Sequence, residues 1–239
     1  MHWALTTAGL PPSRIALVGQ SLGTAVTFAV AEALSNPPPT DPPTEPITLG
    51  AVISVAGFSN MPDLIKTYYA GGIVPILAPL NPYPRLQSFF TSFVWEKWDS
   101  AARVASLVQH CEKLKLFIIH AKSDNSIPWL HSDYLFHAAA NATGVSKGIG
   151  EGTEEALGFA DVRRLVVRKQ LGEEGFVNSW PEERSGGRLI EQWVVTWGGK
   201  YFRGRVGREM WAWLTWVVEH NRIMTSASVS LLVARALGL

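Results

Sequence analysis

Cysteine is nearly absent from the sequence. Cys111 stands alone, so no disulfide can close within the chain. That usage is compatible with an intracellular or membrane-associated setting. An excess of one charge is also lacking: 21 Lys and Arg face 20 Asp and Glu, for a net charge of +1. This balance gives no support for a nucleic acid or an acidic polymer as partner. Nothing at Met1 reads as a signal peptide, and no charge-free apolar run reaches the ~20 residues of a membrane span. The longest candidate, residues 71–80, is short and carries two prolines. No compact metal-ligand motif such as H-E-x-x-H occurs. The spacing of His120, Asp124 and His131 could suggest metal ligands, but without a compact motif no metal site is expected.

What is present is a moderately apolar chain of 239 residues, long enough for one sizeable domain. Ten Trp and ten Phe are many for this length. They read as core packing or as the lining of an apolar pocket for a lipid-like ligand. Along the chain, Ile15-Ala16-Leu17-Val18 forms a short apolar run suited to a strand buried on both faces. Val26, Phe28, Val30 and Leu34 then recur as a packed helix would place them. Residues 36–46 hold six prolines and form a loop. Further strands are expected at residues 49–55, 114–119 and 189–197, and helices at 101–112, 129–142 and 226–237. Residues 144–158 are glycine-rich and acidic, a loop. Residues 58–103 are aromatic and broken by prolines, and are expected to form a cap of short helices over a site. Alternation of strands and helices in one domain spanning residues 1–239 implies an α/β fold with a mostly parallel sheet.

Between the first strand and its helix lies Gly19-Gln20-Ser21-Leu22-Gly23, a G-x-S-x-G pentapeptide in the strand–turn–helix setting of a nucleophile elbow. So sharp a turn is expected to leave no room for side chains at Gly19 or Gly23. It would project Ser21 from the strand's carboxyl end, with the Leu22 N–H at a helix N-terminus able to donate to an oxyanion. A serine hydroxyl needs a histidine base, and the base needs a carboxylate to orient it. In chain order the acid follows the nucleophile and the histidine comes last. Asp124, in the loop after the 114–119 strand, fits the acid. Asp133 would sit on the next helix, and Asp63 precedes that strand. His220 is the only histidine in the last hundred residues.

These segments resemble a known family. Pro11-Pro12-Ser13-Arg14-Ile15 leading into Gly19-Gln20-Ser21-Leu22-Gly23-Thr24-Ala25 is similar to the fungal α/β-hydrolases related to membrane monoacylglycerol and lysophosphatidylserine lipases. His120-Ala121-Lys122-Ser123-Asp124 with Ile127-Pro128-Trp129 resembles the acid loop of that family. His220-Asn221-Arg222-Ile223-Met224 resembles its histidine segment. The resemblance implies a Ser21–His220–Asp124 triad that cleaves lipid or small acyl esters through an acyl-enzyme, without cofactor. The aromatic stretch would then cover an acyl-chain channel. The alternative is a catalytically impaired fragment, or a scaffold that binds lipid or protein.

Two departures from the family pattern follow. The elbow strand comes fifth in the family's sheet, yet only about 13 residues precede it here, too few for earlier strands of 5–6 residues each. The resemblance therefore implies a partial α/β-hydrolase fold lacking its first strands, the loop with the second oxyanion N–H and any N-terminal membrane anchor. It also implies an elbow strand left at the sheet's edge. Second, residues 200–219 separate Gly198-Gly199 from His220 and read as an insertion, such as a retained intron. Alternatively, residues 208–219 form an authentic amphipathic helix able to rest on a membrane surface.

Overall fold

The computed structural model describes residues 3–39, 45–70, 74–144, 157–196 and Ala234. The expectations placed on His220, on residues 200–219, on the 226–237 helix apart from Ala234 and on most of the 144–158 loop lie outside these residues.

A helical turn at Trp3–Thr7 and a short turn at Pro12–Arg14 lead into β1 (Ala16–Gln20). After β1 come α1 (Leu22–Ser35), β2 (Ala51–Val55) and α2 (Met61–Thr67). The two-residue strands β3 (Tyr69–Ala70) and β4 (Val74–Pro75) pair with each other, and α3 (Pro84–Ser92) and α4 (Ser100–His110) complete the aromatic stretch. Next are β5 (Lys115–Ala121), α5 (Leu130–Ala142) and α6 (Phe159–Leu165). The described chain closes with β6 (Val167–Gln170), β7 (Gly175–Ser179), α7 (Glu182–Ser185) and β8 (Leu189–Val195).

Six strands form one mixed, mostly parallel sheet in the order β1-β2-β5-β8-β7-β6. The pairs β1–β2, β2–β5 and β5–β8 run parallel, while β8–β7 and β7–β6 run antiparallel. The β6–β7 hairpin is an addition to the strands expected from the sequence. Every residue of β6 is exposed, so its sequence, Val-Arg-Lys-Gln, carries neither an apolar run nor an alternation.

The central strands are apolar on both faces because both are buried. Val52, Leu116, Ile118 and Ile190 join Phe28 of α1, Leu107 and Val108 of α4, and Leu135 and Phe136 of α5 in the larger core. Ile53, Val55, Phe117 and Ile119 form a smaller core with Ala51, Ala121 and Val195. Each such large side chain contributes about 1.5–3 kcal/mol by leaving water. On α1 the inward positions are Thr24, Ala25, Thr27, Phe28, Ala31 and Ser35, whereas Leu22, Val26 and Val30 stay exposed. Among the described residues β1 is the sheet's edge, with Val18 39% exposed, so the elbow sits on the outermost strand.

Candidate active site

The site is built where parallel strands end. Gln20 of β1 lies in register with Val55 of β2, and Val55 with Ile119 of β5. Ser21 and the Asp124 loop therefore both leave the sheet at the carboxyl end of its parallel strands.

Ser21 has φ 52° and ψ −124°, a backbone conformation that non-glycine residues rarely adopt. The surroundings hold it there. Its N–H donates to the Val55 carbonyl at 2.9 Å, and its own carbonyl accepts from the Thr24 N–H at 3.0 Å and the Thr24 hydroxyl at 2.7 Å. Ser21 occupies the N-cap of α1, where a serine usually spends its Oγ on a helix N–H. Here the side chain makes no capping bond. Leu22 is the first residue of α1, so its N–H has no acceptor within the helix.

The two elbow glycines differ. A Cβ on Gly19 would lie 2.4 Å from Thr27 Oγ1 and 2.6 Å from the Gly23 carbonyl oxygen, so only glycine fits. At Gly23 the expected collision is absent: nothing lies within 4 Å of where its Cβ would stand.

Asp124 is buried in the turn after β5. Its Oδ1 accepts the N–H groups of Ser126 and Ile127 at 2.9 and 3.1 Å, and its Oδ2 lies 3.6 Å from His120 Nε2. His120 Nε2 also donates to the Ile127 carbonyl at 2.8 Å, which fixes the tautomer with the proton on Nε2. The competing acids are engaged elsewhere. Asp133 on α5 accepts from Gln192 at 2.6 Å, and Asp63 on α2 accepts from Asn60 and Lys66 at 2.8 and 2.9 Å. His220 lies outside the described residues. The chain leaves β8 beside the acid loop, however: Val195 pairs with Ala121, and its carbonyl accepts from the Lys122 N–H at 2.7 Å.

One polar web escapes sequence reasoning. His131 of α5 accepts the Ser59 N–H at Nδ1 (3.4 Å), so its proton is on Nε2, which donates to Thr67 Oγ1 at 2.9 Å. The Thr67 hydroxyl in turn donates to the Asp63 carbonyl at 3.0 Å. Burial, and then the charge of His120, pulls His131 down to about 4, against an opposing pull from Asp63. These partners lie 64 and 72 residues away in sequence, so no local pattern marks them. A second missed feature is Ala56, with φ 49°, whose N–H donates to the Ile119 carbonyl at 2.9 Å, one strand further in than Ser21.

Among the described residues no group of three His, Cys, Asp or Glu side chains is arranged to hold a metal ion, and no helix is long and apolar enough to cross a membrane. No protein-family model, curated protein or solved structure matches the chain.

Proposed function

We propose that the protein is a serine hydrolase of the α/β-hydrolase type that cleaves lipid or small acyl esters. The observation that carries this reading is Ser21: a non-glycine residue in a strained conformation at a strand–helix junction, its hydroxyl not used for capping. Strain of this kind costs about 1–3 kcal/mol and persists where surrounding structure over-determines it, commonly at active sites. In the proposed reaction Ser21 Oγ attacks the ester carbonyl while His220 takes its proton. Asp124 orients His220, and the Leu22 N–H donates to the developing oxyanion. The protonated alcohol leaves, and water, deprotonated by His220, then releases the acid from acyl-Ser21.

A second reading, a non-catalytic binding scaffold, is favoured by the place of β1 at the end of the strand order among the described residues. A fluorophosphonate probe separates the two. Labelling of the folded parent chain, absent from Ser21→Ala, supports the enzyme. Equal labelling of both, or of neither, sinks it.

A further inference from the structure

Helix α3 is built inside out. It buries only Gln87 and Thr91, one turn apart, while Leu86, Phe89 and Phe90 are exposed. The inward side is satisfied as a polar contact: Gln87 Nε2 donates to the Leu77 carbonyl at 2.9 Å and to Asn81 Oδ1 at 2.7 Å. The outward side is an aromatic cluster, with Phe89 edge-on to Phe90 and Phe93 at centroid distances of 5.7 and 5.1 Å. In sequence, Tyr83 precedes the cluster and Trp95 follows it, and Tyr83, Phe93 and Trp95 are 63%, 71% and 94% exposed. A helix facing water does the reverse, turning its apolar stripe inward. Contiguous exposed apolar surface of this kind marks a contact with another apolar phase.

The charge pattern selects the phase. From Val74 to Trp95 the sequence has no acidic residue and one cation, Arg85, which is exposed. Phe at the centre with Tyr and Trp at the margins is the arrangement suited to a headgroup–acyl boundary. We propose that α3 and its flanks, Tyr83 to Trp95, form a lipid-surface docking element that inserts Phe89, Phe93 and Trp95 into the interface. The attachment is predominantly hydrophobic, and it is separate from the basic 200–219 segment and independent of whether Ser21 is active.

The test is co-sedimentation of the full chain with phosphatidylcholine vesicles, with and without phosphatidylserine. The parent chain is expected to bind both, the anionic vesicles by no more than about fivefold tighter, since a single cation is worth about that factor. The variant Phe89→Ser/Phe93→Ser/Trp95→Ser is expected to lose binding by on the order of tenfold per aromatic removed. All three side chains are exposed, and an unchanged melting temperature verifies the fold. Ser21→Ala is expected to bind as the parent does, so loss of hydrolysis and loss of docking read out separately. Three results overturn the proposal. These are no vesicle binding by the parent, binding lost on charge removal at Arg203, Arg205 and Arg208 but kept in the aromatic variant, or a parent dimer that the aromatic variant dissolves without any vesicle binding.

Discussion

Thr24 donates twice to one atom: its N–H and its hydroxyl both reach the carbonyl oxygen of Ser21, at 3.0 and 2.7 Å. Thr24 is fully buried one turn into α1, so this double bond-in fixes the peptide that carries the strain at Ser21. Replacing Thr24 by Val keeps the shape and removes the hydroxyl. The expected outcome is a loss of about 1 kcal/mol of stability together with slower fluorophosphonate labelling of Ser21. Chemical denaturation and labelling rates measure the two effects. Unchanged labelling would mean that the clamp does not position the serine.

Gly19 and Gly23 give opposite expectations from similar substitutions. Gly19→Ala forces a Cβ against the backbone of Gly23 and against Thr27, and is expected to destabilise the fold by roughly 1–3 kcal/mol. Gly23→Ala meets open space inside a helix, and is expected to raise stability by up to about 1 kcal/mol through helix propensity. Paired urea titrations decide it; equal losses for both variants would contradict the elbow geometry.

Asp124→Asn retains a side-chain oxygen for the Ser126 and Ile127 N–H groups while removing the charge. The chain should therefore remain folded, with ester turnover falling by on the order of 10⁴-fold if Asp124 orients the base. A folded variant with parental turnover would remove Asp124 from the triad.

His131 supplies a pH dependence of stability. Burial holds its imidazole down to about 4 in the folded chain, against an ordinary 6.5 for a solvated histidine. Between those values the unfolded chain binds more protons. The contribution is therefore complete above 6.5 and is lost as pH falls towards about 4, amounting to something of order 3 kcal/mol. Urea midpoints from pH 7 to pH 4 measure the slope. His131→Gln should flatten it; an unchanged slope would assign the effect to other groups.

Strands β2 and β5 were legible because each is a short apolar run buried on both faces. β1 was found from its apolar run, but the expected burial on both faces fails at Val18, which the edge position leaves exposed, and Val26 and Val30 of α1, read as packed, face outward because only one side of α1 meets the core. The Asp124 loop was legible from strand followed by turn. The β6–β7 hairpin was not, since an exposed edge strand needs no apolar pattern. The polarity of α3 was not either: periodicity shows that two faces differ, but not which one points inward. The web around His131 joins residues far apart in sequence and becomes visible only once β2, α2 and α5 are packed together.

Ser21 and Ala56 are hooked in the same way, each by an N–H donated to a carbonyl near the carboxyl end of the strand beside it, Val55 for Ser21 and Ile119 for Ala56. The strained turn at Ser21 thus hangs from β2, and the turn after β2 hangs from β5. These anchors are distant in sequence, so their loop-closure entropy must be met before the strain can be held. During refolding, helical signal from α1 can return while the serine is still in an ordinary, unstrained turn. The geometry of the elbow depends on the pairing of β1 with β2 and cannot outlive it.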